Sequence, residues 1–471
     1  MAESRGAARR TPGARSDVLV IGGGAAGLAA AARLGAAGCS VRLLEARERA
    51  GGRIHTLSLP GMPLPVELGA EFIHGRPAST LGWLRRAGSV DVDTDGARFS
   101  LREGRLEPGE DLFAELRRGL AAARPRLRHR DLSFDALLEA LPRRVLSRRA
   151  RGFAQMLLEG FDAADPADAS ARAALAEWSG GAAADAPTSR PWGGYGVLVD
   201  ALLAALDPRR VELRLGAVVH RIAWRRGAVR AEGACAGRAF AFEARAAIVT
   251  LPLGVLQQSL AVGDGLAGPP ARPARGATAA TTGDGLVRFD PLPRRLLAPL
   301  QRLGPGPVIK VVLAFREPFW EALDAGRYAQ AAFFHAPGAH FPTFWTALPA
   351  RAPLVVAWCA GPAAVRLRGL PREALLEAAL GSFQSLWGRR VDARSLLQAG
   401  AVHDWAADPF ARGAYSYVRV DGDRARRELA RPLAATLWFA GEACEPGEDA
   451  GTVAGALQSG TAAASSLLRA A

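Results

Sequence analysis

The sequence predicts an α/β protein, and three observations carry that prediction. An apolar run near the start of the chain ends in a cluster of glycines and continues into an alanine-rich helical stretch. A second apolar run follows and stops at an acidic residue. The end of the chain then returns to the same order of apolar run, glycine and helix. With 471 residues, 49% of them hydrophobic, the chain can bury two packed domains and is long for a single core.

The elements read as follows. Residues 1–16 are rich in Arg, Ala and Ser and lack the apolar stretch of a secretory signal, which predicts a disordered leader. Asp17 to Ile21 reads as a strand, Leu28 to Ala37 as a helix, and Ser40 to Leu44 as a second strand ending at Glu45. Residues 80–206 look largely helical, with few strand signals. A small sheet is predicted from Val211 to Leu215, Ala217 to Trp224, Ala228 to Ala231 and Ala246 to Leu251. Residues 262–285 are dense in Gly, Pro, Ala and Thr without periodicity and read as a flexible insertion. Mixed strands and helices fill 286–400, and Thr436 to Ala440, Gly441 and Gly451 to Leu468 form the closing strand, turn and helix.

Composition excludes several classes. The net charge of +14 suggests attraction to phosphates, but all except one of the 60 basic residues are arginines, and they are spread along the chain. There is no Asn, and Ile and Tyr are few. Those residues and Lys share A/T-rich codons, so the charge reads as genomic drift, and no specific nucleic-acid partner is expected. Cys39, Cys235, Cys359 and Cys444 are scattered without CxxC spacing, which suggests neither a disulfide framework nor a metal site. No apolar run approaches the roughly 20 residues of a membrane span. A cytoplasmic location, with no membrane partner, fits both facts.

Gly22, Gly24 and Gly27 form a GxGxxG turn. The first glycine permits the tight turn, the second lets backbone approach a pyrophosphate, and the third lets the helix pack on the strand. Ala26 lies within this turn, and the N-terminus of the helix that follows offers free N–H groups to that anion. Glu45 is placed to accept hydrogen bonds from ribose hydroxyls. Beyond it, Arg47, Gly51, Gly52 and Arg53 suit a second close approach to a diphosphate. Glu67 to Glu71 again ends a strand at a glycine.

Lys310 is the only lysine, and it lies inside the apolar run Val308 to Leu313. A charge there is unfavourable unless paired or functional, and an ammonium that can lose its proton differs from a guanidinium that cannot. Tyr415, between Ala414 and Ser416, offers an aromatic face suited to a cation.

Taken in order, the segments VLVIGGGAAGLAAAARL, LLEARERAGGRI, ELGAEFIHG, TLPLGVLQ, KVVLAFREPFW, DWAADPFARGAYSYV and LWFAGEACEPGEDAGTVAGALQSG resemble the flavin-containing amine oxidase family. That family includes monoamine oxidases, polyamine oxidases and lysine-specific histone demethylases. The resemblance runs from Asp17 to Ala464, apart from the insertion. It implies a discontinuous Rossmann-like FAD-binding domain (17–78, 209–261 and 402–471) and a mixed α+β substrate-binding domain (79–208 and 286–401). It implies that Glu45, Arg47, Arg53, Gly69, Ala70, Glu71, Val219, Gly441, Glu442, Thr452 and Val453 line FAD, with the last helix aimed at the flavin. By the same resemblance Lys310 holds a water against flavin N5 and Tyr415 is one wall of an aromatic cage. Thr452 stands where monoamine oxidases have the second tyrosine of that cage. Ala414 replaces the cysteine that joins FAD covalently in those enzymes, so FAD should be non-covalent. His74 matches a substrate-side residue of polyamine oxidases and could meet an amine through near-neutral titration. Trp345 and Trp405 resemble flavin-proximal aromatics, and Ala454 replaces a frequent histidine.

The implied activity is oxidation of an amine, with hydride passing from its α-carbon to flavin N5. The imine then hydrolyses, and O2 reoxidises the flavin to give H2O2. Polyamines are open as substrates, but no concentrated acidic lining is legible, and the positive net charge would not steer polycations. An L-amino-acid oxidase or another FAD oxidoreductase of the same fold is the first alternative, and a non-catalytic flavin-bearing binding module the second. The sequence leaves homodimer formation open.

Overall fold

The computed structural model describes residues 15–109, 112–179, 187–264 and 284–470. Residues 1–14 of the expected leader and 265–283 of the expected insertion lie outside the described residues. The first strand begins at Ser16, and the helix Leu253–Gly263 runs two residues into the segment read as insertion.

The first sheet has eight strands. Its parallel part places Val211–Arg214, Val41–Leu44, Ser16–Ile21, Arg238–Val249 and Leu437–Phe439 side by side, with Val18 opposite Val41 and Ala247 opposite Leu437. The central strands Val41–Leu44, Ser16–Ile21 and Leu437–Phe439 are buried almost throughout, as a sheet covered on both sides requires, and the one buried cation among them, Arg42, pairs with Glu212. Arg238–Val249 is long enough to serve two partners. Its second half joins the parallel strands, and its first half pairs antiparallel with Ala228–Cys235, which pairs in turn with Ala217–Arg225. Arg288–Asp290 closes that edge.

The helix Ala25–Ala36 forms because Ala and Leu dominate it, and it stops before Gly38 at φ 86°. It packs on the C-terminal helix Val453–Ala470 through small side chains. At Gly460 a Cβ would stand 2.1 Å from the Ala26 carbonyl oxygen, so only glycine lets the two helices approach this closely.

The second sheet has seven strands, ordered Leu397–Asp404, Val308–Phe315, Leu354–Ala360, Thr343–Thr346, Ala331–His335, Ala97–Arg102 and Arg105–Pro108. All eight residues of Val308–Phe315 are buried, and Lys310 sits opposite Trp358 on one side and His403 on the other. One face of this sheet carries an aromatic cluster around Phe315, Trp320, Phe383 and Trp387. A third layer, Phe113–Leu127, Phe134–Ala140, Arg148–Gly160 and Ala171–Ser179, is helical and has its own leucine-rich core.

Residues 80–206 are thus mainly helical, but the scarcity of strands expected there is corrected. Asp91–Asp93, Ala97–Arg102, Arg105–Pro108 and Thr188–Pro191 are strands. Ala97–Arg102 does alternate, with Phe99 and Leu101 between Arg98, Ser100 and Arg102, so its signal is present in the sequence. Asp91–Asp93, Arg105–Pro108 and Thr188–Pro191 are short and mostly polar. The hairpin between two of these strands turns on Glu103 and Gly104, both at positive φ.

Candidate active site

A cavity of about 1300 Å³ runs from the glycine turn, past the ends of the parallel strands, to Lys310 and on between the helical layer and the second sheet. Ligands of open parallel sheets bind outside the carboxyl ends of the strands, and the glycine turn opens there.

The glycines divide their work. Gly22 has φ 109°, and a Cβ on Gly27 would stand 1.9 Å from the Gly22 carbonyl oxygen, so those two shape the turn and the helix contact. Gly27 does not face the cavity. Gly24 does, and a Cβ there would meet nothing nearer than the Gly52 Cα at 3.8 Å. Its open side belongs to whatever fills the cavity. No side chain caps the helix that starts at Ala25, and its first turn holds no acid. Uncapped N–H groups facing a cavity call for an anion, so the residues present fit the pyrophosphate of FAD. Glu45 closes the turn by accepting from the backbone N–H of Gly23 at 2.6 Å and of Arg47 at 2.9 Å.

Around this turn the expected cofactor residues Gly22, Ala26, Gly69, Ala70, Val219, Gly441 and Val453 all line the cavity. The charged ones line it too, but they also hold one another. Arg47 donates to both carboxylate oxygens of Asp408, at 2.7 and 2.8 Å. Arg53 donates to the Ala414 carbonyl and to Glu442, so the early glycine pair is tied to the turn that follows the last strand. Burial raises the Glu442 carboxyl, but Arg53, Arg426 and the Ser416 hydroxyl outweigh it and hold the group below its ordinary value. Trp405 donates to the Leu68 carbonyl at 2.8 Å.

Lys310 faces the same cavity. Its ammonium donates to Glu71 at 2.6 Å and to the Gly69 carbonyl at 3.0 Å, and lies 5.4 Å from the centroid of the Trp345 ring. Glu71 also accepts from Trp345 Nε1 at 2.9 Å and pairs with Arg190 Nε at 3.0 Å. Burial works against the Glu71 carboxylate, yet the two cations keep it below its ordinary value. Sequence reasoning placed Glu71 beside the flavin and missed this partnership, because Glu71 and Arg190 are distant in the chain.

Tyr415 donates its hydroxyl to the Phe161 carbonyl at 2.5 Å, which fixes its ring against the cavity. Thr452 lines the cavity, but its hydroxyl accepts from the Gly455 N–H at 3.1 Å and donates to the Asp449 carbonyl, and so caps the C-terminal helix. His74 packs edge-on to Phe161 at 5.1 Å. The expectation of near-neutral titration there is corrected: burial without an acidic partner pushes the ring down to about 4, so His74 is neutral at pH 7. The expectation of no acidic lining is corrected as well, since Asp93, Asp95, Asp162 and Glu177 all border the cavity. Asp93 and Asp95 come from one strand end, Asp162 follows a helix and Glu177 lies on another, and only the fold gathers these three segments.

The four cysteines are unpaired, and burial pushes the Cys444 thiol up to about 12. Among the described residues no cluster could hold a metal, and no helix is long and apolar enough to cross a membrane.

The chain is 28% identical to the lysine-specific histone demethylase 1 homolog 2 of Arabidopsis thaliana, a match that takes in 97% of this chain but only 59% of that protein. It is 27% identical to polyamine oxidase 2 of the same plant, across 95% of this chain and 87% of the relative. Among solved structures, a wild-type putrescine oxidase bound to putrescine superposes with a TM-score of 0.75 at 21% identity, covering 97% of this chain and 100% of that one. A cyclohexylamine oxidase from Brevibacterium oxydans IH-35A gives 0.73 at 18%, covering 97% and 99%. These structures share the fold. The model of the flavin containing amine oxidoreductases matches residues 25–468, and the chain belongs to that family.

Proposed function

We propose that this protein oxidises an amine at a non-covalently held FAD and passes the electrons to O2. The observation that carries this reading is Lys310, the sole lysine, buried in an apolar strand and opening on the cavity that begins at the glycine turn. Bound FAD supplies the hydride acceptor for the amine α-carbon and, once reoxidised by O2, the source of H2O2.

The chain's own groups do the rest. The Ala25 helix terminus and Gly24 hold the pyrophosphate, and Glu45 the ribose. Ala414 has no nucleophile with which to bond the ring. Lys310 keeps its ammonium between Glu71 and Gly69, which leaves one N–H for a water or for the cofactor. Tyr415, Phe161 and neutral His74 form an apolar and aromatic wall that orients an amine and keeps water out. A histidine held neutral at pH 7 does not repel an arriving ammonium.

The test is an absorbance spectrum of the purified protein, followed anaerobically as amines are added. Flavin bands that denaturation releases, and that an amine bleaches, are expected. A flavin spectrum that only an L-amino acid bleaches would move the protein to another reaction on the same fold. Failure of added FAD to bind would remove the reading.

A further inference from the structure

Asp162 follows the turn that ends the helix Arg148–Gly160, and Glu177 lies on the helix Ala171–Ser179. Both border the cavity. Asp162 is only 8% exposed, whereas Glu177 is open to the cavity but otherwise enclosed by protein. Among the described residues neither carboxylate has an ion pair. A Trp178 N–H lies beside Asp162, but no hydrogen bond of ordinary geometry joins them.

The cations around the cavity are already committed. Lys310 and Arg190 share Glu71, and Arg172 pairs with Asp423. Arg426, the cation whose charge reaches Glu177, is bound to Ser416 and to the Glu442 carbonyl. Arg98 sits over the Phe333 ring, at the second-sheet side of the cavity. Asp162 is therefore buried beside Glu177, which opens on the cavity, and among the described residues no cation pairs with either. Burial, and for Asp162 the neighbouring Glu177, push both carboxyls above their ordinary values. Such a pair is unfavourable unless a proton or a bound cation compensates it.

The position of the pair suggests which cation that is. Tyr415 is bound through its hydroxyl to the carbonyl of Phe161, the residue before Asp162, and its own ionisation is opposed first by burial and then by the charges of Asp162 and Glu177. The pair thus adjoins the reacting wall without being part of it. Apolar Phe153, Met156 and Leu157 line the same part of the cavity. The geometry points to a subsite at Asp162 and Glu177 for a second cationic group of the substrate. The substrate class is then a diamine or longer polyamine, with one nitrogen at the reacting end and methylenes along the apolar wall. This inference rests on the amine-oxidase reading and narrows it. The acidic pair acts inside the cavity, where the net charge of the whole surface has little weight.

Cadaverine and pentylamine have the same carbon chain and differ in the second nitrogen. The experiment measures the rate and the dissociation constant of anaerobic flavin reduction by each, in the FAD-bound protein and in the D162N, E177Q and double variants. The wild type is expected to favour cadaverine in the ratio of rate over dissociation constant by on the order of a hundredfold. The double variant should bring that ratio close to unity, and each single variant should stop part of the way. Both substitutions keep side-chain size, and an unchanged flavin spectrum with an unchanged melting temperature shows that the variants fold. A wild type that does not prefer the diamine, or a preference that survives in a folded double variant, overturns the subsite and leaves the amine-oxidase reading intact. If neither amine reduces the flavin but an L-amino acid does, the reading itself falls and the subsite with it.

Discussion

Glu67 shows how far burial can move a single group. It accepts from Thr56 and from the Tyr195 N–H, both at 2.7 Å, while its second oxygen has no partner. Burial, only partly offset by these hydrogen bonds, lifts its carboxyl from 4.5 to about 7. In the unfolded chain the proton leaves near the lower value and in the folded chain near the higher one. Glu67 therefore contributes stability below pH 4.5 that is lost as the pH rises to about 7, on the order of 3 kcal/mol. Glu67→Gln keeps both acceptor contacts and cannot ionise, so urea midpoints measured across that window should fall less than in the wild type. At this scale the sequence shows residues that are anomalous where they stand. Lys310 is legible because a lone ammonium interrupts an apolar strand. Asp162 and Glu177 are not, because each is an ordinary polar residue in the sequence, one just after a helix and the other on the next, and only the fold brings both to the cavity.

Among the elements, the C-terminal helix depends on its first residue. Thr452 both caps that helix and lines the cavity. Thr452→Ala is expected to lower stability by about 1 kcal/mol and to weaken FAD retention, whereas Thr452→Ser should restore most of the stability. Thermal unfolding and the flavin content of the purified variants measure the two effects. A serine variant as unstable as the alanine variant would assign the effect to the lost methyl group rather than to the cap. The opening strand, helix and strand were legible because glycine spacing and apolar runs coincide there, although the helix starts at Ala25 and not at Leu28. The hairpin at 97–108 was missed although Ala97–Arg102 alternates apolar and polar residues, because the run is only six residues long and its partner Arg105–Pro108 is a four-residue edge strand with one buried side chain.

In the whole molecule the cavity joins segments from both ends of the chain, and Arg53 and Glu442 tie them together. A ligand that binds only the folded form stabilises it by mass action, about 2.7 kcal/mol at a hundredfold excess over its dissociation constant. Removing FAD should therefore lower the melting temperature, and adding it back should restore it in a concentration-dependent way. A melting temperature indifferent to FAD would mean that the glycine turn and the last helix do not share a ligand. The discontinuous arrangement was legible only because similar strand–glycine–helix patterns stand at both ends of the sequence. The pairing of Gly460 with Ala26 has a further consequence, for synthesis. The first helix leaves the ribosome on the order of tens of seconds before its partner exists, at the usual rates of translation. During that interval its alanine face has nothing to pack on, and the contact that finally covers it is among the least local in the chain. This contact between the first and last helices is thus expected to form late, after the C-terminal helix has been made.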